Sequence, residues 1–170
     1  MTSDLKENIL AGKVFIYPTD TLYGLGCNAE DEKAVAKIRE IKGRDEKPLS
    51  IIAPSLEWIN ENLIVDLDLG KYLPGPYTII LKKKNPKFLS HVSSTDSLGI
   101  RIPNHDFCFE LQKTGVPIIT TSVNFSGQPS SLSIKDIPEE IKSQVDFVVE
   151  GEVSGKPSTL IIDGKEVVRK

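Results

Sequence analysis

The stretch "KVFIYPTDTLYGLGCNA", residues 13–29, joins an apolar run to a polar segment that contains two glycines. Its first part, 13–17, is typical of a short buried strand, and a charged segment with helical periodicity follows at 31–41. Between the two, residues 24–29 spell GLGCNA, which matches the G-x-G-x-x-A pattern of a dinucleotide-binding turn. The first question is therefore whether these glycines mark a nicotinamide or flavin site.

Two features of the sequence argue against a dinucleotide site. Such a fold needs its first glycine directly after the strand, so that the pyrophosphate meets the N-terminus of the next helix. Here the segment from Pro18 to Tyr23 separates the strand from Gly24. The next predicted strand, 48–53, does not end in the acidic residue that would hold the ribose hydroxyls. We therefore expect Gly24 and Gly26 to permit positive φ angles or a tight backbone approach in a loop.

Length and charge limit the possible classes of protein. At 170 residues, the chain is long enough for one domain with a sizeable core, which we expect to span residues 1–170. The formal net charge of −3 gives no general attraction to nucleic acid or to an anionic membrane. Any site for an anion must therefore come from a local cluster of cations.

The cysteines and the N-terminal segment indicate a compartment. Cys27 and Cys108 form no C-x-x-C pair, which argues against a structural zinc site or a disulfide framework and favours a reducing environment. The start of the sequence has no apolar core of a signal peptide, and no apolar run is long enough to span a bilayer. We therefore expect a cytoplasmic protein without membrane association.

Strand and helix patterns alternate in the first part of the chain, and hairpin-like strands follow towards its end. This order predicts an α/β fold with a mixed sheet. The predicted strands are 13–17, 48–53, 77–83, 98–103, 116–122, 146–149, 158–162 and 166–169. The predicted helices are 31–41, 55–63, 106–114 and 137–145.

Polar residues cluster where two predicted strands end, and ligands of α/β sheets tend to bind at such ends. Thr19, Asp20, Thr21 and Tyr23 follow the first strand. The segment 120–131, TTSVNFSGQPSS, offers hydroxyls and an amide, which suit fixing a phosphate or an amino acid without adding charge. Either segment alone is also compatible with ordinary turn chemistry.

Two cationic motifs accompany these polar segments. In KGRDEKP, residues 42–48, Lys42, Arg44 and Lys47 alternate within a loop, where their heads could converge on a polyphosphate. The alternative is a solvated helix C-terminus, where cations are favoured in any case. Arg101 lies in the strand 98–103, whose alternation is that of a strand with one outward charge. Its guanidinium either faces solvent or reaches into a cleft to bind a carboxylate or phosphate.

Several common catalytic motifs are missing from the sequence. It contains no G-x-x-x-x-G-K-[ST] phosphate loop and no G-x-S-x-G nucleophile turn. His91 and His105 have no acidic partner at metal-ligand spacing, and we expect both to be surface or loop residues. A Ser-His hydrolase and a zinc enzyme with protein ligands are therefore disfavoured.

Taken together and in this order, the motifs resemble those of the YrdC-type family of L-threonylcarbamoyl-AMP synthases. The matching segments are PTDTLYGLG at 18–26, KGR at 42–44, KPL at 47–49, LPGP at 73–76 with Thr78, RIP at 101–103, TSVNFSG at 121–127 and Ser158-Thr159. The match runs from about residue 5 to residue 169. Each motif alone is weak, but the ordered set is highly specific.

The resemblance implies a fold and a reaction. The fold is a single YrdC-like domain, with a twisted, partly open mixed sheet, flanking helices and a concave, positively charged cavity. The reaction joins L-threonine, bicarbonate and ATP into threonylcarbamoyl-AMP and pyrophosphate. Its product supplies the modification of the tRNA adenosine next to the anticodon. Separate threonylcarbamoyl transferase proteins would complete that modification, so we expect transient contact with them and weak or indirect contact with tRNA.

The resemblance also assigns roles to residues. The expected catalytic residues are Lys42, Arg44, Ser122 and Asn124. The expected ATP-binding residues are these four together with Lys47, Ser130 and Arg169. The expected threonine-binding residues are Thr21, Tyr23, Arg101 and Thr120, with Arg101 on the carboxylate. Mg²⁺ is expected to bridge the ATP phosphates, without a metal site formed by protein side chains.

Two departures from the family pattern and two alternative functions remain. Asp20 stands where many members carry Glu, and Val123 replaces a small Ala. One alternative is a carbamoyl-adenylate enzyme of the same fold, as in modules of hydrogenase-maturation and antibiotic carbamoyltransferases. The other is a non-enzymatic RNA-binding module, which the lysine run 82–84 would favour but the acidic net charge and few aromatic residues disfavour.

Overall fold

The computed structural model describes residues 2–43, 46–125 and 127–169. In these ranges the strands are β1 (Phe15–Tyr17), β2 (Gly24–Gly26), β3 (Ser50–Ile52), β4 (Leu63–Ile64), β5 (Tyr77–Lys83), β6 (Ser97–Arg101), β7 (Ile118–Ser122), β8 (Phe147–Val148), β9 (Thr159–Ile162) and β10 (Lys165–Val167). The helices are α1 (Thr2–Leu10), α2 (Glu32–Lys42), α3 (Leu56–Asn62), α4 (Asp106–Lys113) and α5 (Glu139–Lys142). The predicted α/β class is confirmed.

The strands form one mixed sheet in the order β10-β9-β5-β6-β3-β7-β2-β1-β8, and β4 pairs with β5 at its side. The pairs β3·β6, β5·β9 and β1·β8 are parallel, and the remaining pairs are antiparallel. The order places β6, β3, β7 and β2 side by side in the middle of the sheet. Polar residues of these four strands therefore lie close together, although the chain separates them widely.

Both faces of the sheet are covered by apolar side chains. Along β1, Ile16 faces a large core cluster that includes the buried side of α2, whereas Phe15 and Tyr17 face a second cluster. This alternation follows from the two-residue period of a strand. The second cluster includes Ile9 of α1 and Leu111 of α4. The sequence analysis did not predict α1.

Helix α2 forms where the sequence predicts it, because both of its ends are capped. The Asp31 side chain accepts the backbone N–H groups of Lys33 and Ala34, each at 3.1 Å. Gly43 ends the helix in the left-handed region at φ 99°, which a glycine adopts without strain. The side chains of the predicted apolar face are all buried: Ala34, Val35, Ile38 and Ile41. The helix thus carries Lys42 in its last turn to the middle of the sheet.

The structure corrects one expectation for Gly24 and Gly26. Residues 24–26 form strand β2 and not a loop, and neither Gly24 nor Gly26 has a positive φ. The expected tight backbone approach is confirmed. A Cβ atom on Gly26 would lie 2.6 Å from a ring carbon of Tyr17 and 2.8 Å from the Ile119 carbonyl oxygen. The glycines therefore make room for the Tyr17 ring, whose hydroxyl donates to the same Ile119 oxygen at 3.0 Å.

The C-terminal part differs from its predicted elements in length. Residues 137–145 contain only the short helix α5, which follows Pro138 and a 3₁₀ turn at Ile134–Asp136. The later strands β8, β9 and β10 lie within or near their predicted positions but are shorter or slightly displaced. None of the helices in the described ranges is long and apolar enough to cross a membrane.

Candidate active site

A polar cleft opens over the middle of the sheet, where β6, β3, β7 and β2 lie side by side. Its volume is about 160 Å³, which is closer to the size of an amino acid than to that of a drug-sized ligand. Hydroxyl groups dominate the wall, together with two guanidinium groups. The polar residues that line the cleft are Thr19, Thr21, Tyr23, Ser50, Thr78, Arg101, Thr120, Thr121, Ser122, Ser158 and Arg169.

Arg101 lies in the cleft wall with its charge paired. Only 5% of its surface is exposed. Its Nη1 donates to the Thr21 hydroxyl at 2.9 Å, and its Nη2 donates to Asp20 Oδ1 at 2.5 Å. Its Nε is buried and has no hydrogen-bond partner among the described residues. The outward charge suggested by the alternation of 98–103 is therefore wrong, because β6 lies inside the sheet and Asp20 supplies the countercharge.

The turn before β2 is fixed by its own threonines. The Thr19 hydroxyl donates to the Leu22 carbonyl at 2.6 Å and accepts the Thr21 N–H at 3.0 Å. The two threonine hydroxyls also lie 3.0 Å apart. Since the Thr19 hydrogen goes to Leu22, the Thr21 hydroxyl donates to Thr19 and accepts from Arg101. Asp20 completes the turn by accepting the Asn104 N–H at 2.9 Å, so this turn orients the Arg101 guanidinium.

Lys42 and the turn after β7 form the second part of the site. The Lys42 ammonium, 5% exposed, donates to the Ser122 carbonyl at 2.8 Å and to Asn124 Oδ1 at 2.9 Å. The Ser122 hydroxyl donates to the same Asn124 oxygen at 2.7 Å. The Asn124 amide nitrogen donates to the Gln128 carbonyl at 2.6 Å. Two motifs about 80 positions apart in sequence thus meet in one hydrogen-bonded cluster.

The structure brings most of the predicted site residues together, but not all of them. Six line the cleft itself: Thr21, Tyr23, Arg101, Thr120, Ser122 and Arg169. Asn124 and Ser130 line a neighbouring groove with Phe125. Lys42 is joined to the cleft through Ser122, whereas Lys47 is exposed and does not line it. Arg44 lies outside the described residues.

Arg169 brings a second cation to the cleft from the chain segment after β10. Desolvation lowers the pKa of its guanidinium, and the charge of Arg101 lowers it further. Both guanidinium groups line the same cleft, where their like charges repel each other. An anionic ligand between them would relieve this repulsion, which makes the cleft suitable for a carboxylate or a phosphate.

Tyr23 contributes its ring to the cleft, but its hydroxyl bonds elsewhere. The hydroxyl donates to the Gly151 carbonyl at 2.5 Å and accepts the Gly151 N–H at 3.2 Å. It therefore ties the segment after β8 to the start of β2. The sequence analysis assigned no role to Thr78 and Ser158, whose buried hydroxyls lie 2.7 Å apart in the cleft. In the sequence, Thr78 and Ser158 could be singled out only by their positions in the family motifs.

The cysteines and histidines lie apart from the cleft. Both cysteines are free and buried, and burial raises the pKa of both thiols, to about 12 for Cys108. Neither thiol supplies a thiolate near neutral pH. His91 Nε2 lies 2.7 Å from the Ala29 carbonyl, and His105 accepts the Phe107 N–H at the start of α4. Among the described residues, no group of three or more His, Cys, Asp or Glu side chains could hold a metal ion.

Comparison with known proteins identifies the family. The family model Sua5/YciO/YrdC, described as "Telomere recombination", matches residues 7–170. A threonylcarbamoyl-AMP synthase of Vibrio campbellii is 32% identical over 162 residues, which cover 88% of this chain and 86% of that protein. A Methanocaldococcus jannaschii protein that carries the same name provisionally is 43% identical over 164 residues, 92% of this chain and 77% of that protein. The Pyrococcus abyssi threonylcarbamoyl-AMP synthase is 33% identical, but this chain spans only 44% of its length.

Solved structures agree with this result. The structure of Pyrococcus abyssi Sua5 complexed with L-threonine matches 96% of this chain and 51% of that chain, with a TM-score of 0.83 and 31% identity. Escherichia coli YciO matches 98% of this chain and 86% of that chain, with a TM-score of 0.83 and 27% identity. The fold and its cleft therefore define an α/β protein of one known class. The chain belongs to the Sua5/YciO/YrdC family.

Proposed function

We propose that the chain is a threonylcarbamoyl-AMP synthase. It would convert L-threonine, bicarbonate and ATP into L-threonylcarbamoyladenylate and pyrophosphate, for the modification of the tRNA adenosine next to the anticodon. The observation that carries the proposal is the meeting of two groups at one cleft, the Arg101–Asp20–Thr21 network and the Lys42–Ser122–Asn124 cluster. The names of the relatives in archaea, bacteria and mammals support the same activity.

The threonine end of the site would lie at Arg101. Its buried Nε, which has no partner among the described residues, is a donor that a substrate carboxylate could satisfy. Asp20 and Thr21 hold the other two nitrogens, so the plane of the guanidinium is already set. Arg169, which the sequence analysis expected at the ATP, lines the same cleft as Arg101, where it would add a second positive charge. Thr120 and the Tyr23 ring, which also line the cleft, would lie around the amino acid.

The ATP end would lie at the Lys42 cluster and the neighbouring groove. Lys42, Ser122 and Asn124 bond to one another and to backbone carbonyls. Binding of ATP would therefore exchange some of these hydrogen bonds for bonds to phosphate oxygens. Arg44 and Lys47, on the loop that follows α2, would hold the rest of the triphosphate. The groove beside Asn124, which includes Ser130, would receive the nucleoside.

This reaction needs the protein to position the substrates and to neutralise charge more than to form covalent bonds with them. The threonine amine attacks CO₂ with loss of a proton, or bicarbonate with loss of water, and so forms a carbamate. A carbamate oxygen then attacks the α-phosphorus of ATP. The bond from that phosphorus to the bridging oxygen breaks, and pyrophosphate leaves. The cations of the site would neutralise the phosphate charge that opposes this attack. The cleft would thereby hold the carbamate oxygen close to the phosphorus.

A magnesium ion fits this site only as part of the nucleotide. The described residues that line the cleft include hydroxyls and cations but no carboxylate. Mg²⁺ prefers oxygen ligands and often binds through substrate phosphates and water. We therefore infer that Mg²⁺ would arrive with the ATP phosphates and would supply charge neutralisation there, without a site formed by protein carboxylates. Ser122 and Asn124 would continue to position the nucleotide beside it.

The wider setting of the enzyme follows from the same proposal. Arg101 and Arg169 in the wall, with Lys42 behind it, support a positively charged cavity. The family match over residues 7–170 supports a single domain. The two free cysteines suit the cytoplasm.

We infer that the product passes to separate threonylcarbamoyl transferase proteins by transient contact, with weak or indirect contact between this chain and tRNA.

The proposal is tested by measuring pyrophosphate release with ATP, Mg²⁺ and bicarbonate while the amino acid is varied. Release is expected with threonine and to be at least about tenfold slower with alanine, because a site that pairs a substrate hydroxyl rejects an analogue without it. Omission of bicarbonate should abolish the release. Equal rates with threonine, serine and alanine would contradict the proposal. Release that needs carbamoyl phosphate instead of threonine would identify the carbamoyl-adenylate alternative.

A further inference from the structure

One segment of the chain forms part of the cleft wall without belonging to the sheet. It consists of residues 149–158, and it is called the strap below. All of these residues are described, and none of them lies in a helix or a strand. The strap joins β8, at one edge of the sheet, to β9, which lies next to the strand at the other edge. Its last residues, Pro157 and Ser158, line the cleft.

We propose that the Tyr23 hydroxyl holds this strap in place, and that the strap in turn shapes the threonine end of the cleft. Tyr23 is then a positioning residue for threonine binding through its hydroxyl, in addition to the place of its ring in the cleft wall. This step rests on the proposed function, because it takes threonine as the ligand at that end. The sequence analysis assigned Tyr23 to threonine binding but gave no role to the strap.

The Tyr23 hydroxyl binds both backbone groups of one strap residue. It donates to the Gly151 carbonyl at 2.5 Å and accepts the Gly151 N–H at 3.2 Å. Only 5% of the surface of Tyr23 is exposed, and its ring belongs to the large core cluster. Close packing of the core therefore fixes the place of the hydroxyl. Two bonds from one fixed group set both the position and the direction of the strap backbone at Gly151.

Further along, the strap binds the turn that contacts Arg101. The Gly155 N–H donates to the Thr21 carbonyl at 2.9 Å, and the Ser154 hydroxyl donates to the same oxygen at 3.4 Å. The Thr21 hydroxyl accepts from Arg101 at 2.9 Å. A displaced strap would therefore release the Thr21 carbonyl and disturb a residue that orients the Arg101 guanidinium.

Hydrogen bonds to the sheet anchor both ends of the strap independently of Tyr23. At its start, the Val149 N–H donates to the Ile16 carbonyl at 2.8 Å. Directly after its end, the Thr159 N–H donates to the Pro76 carbonyl at 2.9 Å. Removal of the Tyr23 hydroxyl should therefore loosen the middle of the strap and leave its ends attached. We expect the fold to survive this change.

The test compares Tyr23→Phe, which keeps the ring and removes only the hydroxyl, with Tyr72→Phe. Tyr72 is half-buried, packs edge-on against Tyr77 and does not line the cleft. Tyr23→Phe is expected to raise the KM for threonine about fivefold, the effect of losing one hydrogen bond. The KM for ATP should stay within about twofold, as should both constants of Tyr72→Phe. An equal rise of both KM values in Tyr23→Phe would overturn the proposal.

A second variant separates an effect through the strap from direct contact between the hydroxyl and the ligand. A Cβ atom on Gly151 would lie 2.6 Å from Pro18 Cγ, so Gly151→Ala displaces the strap while the Tyr23 hydroxyl remains. This variant should also raise the KM for threonine. A normal KM in folded Gly151→Ala beside a raised KM in Tyr23→Phe would overturn the role of the strap. Thermal melting checks folding, and Tyr23→Phe alone decides the outcome if Gly151→Ala does not fold.

Hydrogen exchange of the Gly155 amide reports on the strap without turnover. Exchange in the absence of ligands should be faster in Tyr23→Phe and Gly151→Ala than in the wild type and Tyr72→Phe, whereas the amides of α2 should keep their rates. Unchanged exchange at Gly155 in Tyr23→Phe would contradict the proposal. If the wild type releases no pyrophosphate with threonine, the proposed function fails. Exchange at Gly155 then decides alone whether the hydroxyl holds the strap.

Discussion

Replacement of Lys42 by alanine is expected to lower kcat/KM for ATP by at least about a hundredfold, the usual effect of removing a charged group from a site of phosphate chemistry. The side chain acts in two ways. It places a positive charge beside Ser122, which lines the cleft. It also donates hydrogen bonds to the Ser122 carbonyl and the Asn124 amide oxygen. Its loss would leave the turn after β7 without its central donor. The measurement is steady-state kinetics with ATP and threonine varied separately.

Two further variants test whether the loss of activity comes from the charge of Lys42 itself. Lys42→Met preserves the buried apolar stem of the side chain and should lose as much activity as Lys42→Ala if the charge is responsible. Lys37→Ala, which removes an exposed cation one to two turns earlier in α2, should stay within about twofold of the wild type. Circular dichroism would confirm folding. Near-normal turnover of a folded Lys42→Met variant would refute the assignment.

Replacement of Arg101 by lysine is expected to raise the KM for threonine about ten- to a hundredfold, with much less effect on the KM for ATP. Arg101 donates to Asp20 and Thr21 with two nitrogens, and its buried Nε has no partner among the described residues. A lysine ammonium is a point charge, so it cannot keep both protein contacts and still offer a planar edge to a carboxylate. Affinity for threonine should therefore fall more than affinity for ATP.

The matched control for Arg101 is Lys82→Ala, which removes an exposed cation from the neighbouring strand β5. This variant should show both KM values within about twofold of the wild type. If Arg101→Lys altered saturation by ATP and not by threonine, the assignment of the carboxylate to Arg101 would be wrong. A loss of folding in Arg101→Lys would instead mean that the pair with Asp20 is mainly structural, and thermal melting distinguishes the two results.

Much of the fold could be predicted because local patterns agree with the final packing. Helix α2 has a clear 3.6-residue apolar period, an Asp31 cap and a glycine at its end, and it forms as predicted. Strand β5 occupies the predicted residues 77–83. Strand β2 was interpreted as a loop because its two glycines lack side chains that favour a strand. The sheet tolerates them because the Tyr17 ring fills the space beside them.

The candidate site was less predictable, since its contacts join distant segments. The residue types at 19–23, 42–48 and 120–131 suggested a ligand site, but no local pattern shows that Lys42 bonds to Ser122 and Asn124. The countercharge of Arg101 comes from Asp20, which lies 81 residues away in sequence. Only the strand order, with β6, β3, β7 and β2 side by side, brings these groups together.

The most direct test of the account is identification of the reaction product by mass spectrometry. Purified protein is incubated with ATP, Mg²⁺, threonine and bicarbonate labelled with ¹³C, and the nucleotide products are analysed together with pyrophosphate. The account predicts an adenylate that contains threonine and the labelled carbon, formed in equal amount with pyrophosphate and lost in Lys42→Ala. Pyrophosphate formed without a labelled threonine adenylate, or an adenylate that lacks the label, would contradict it.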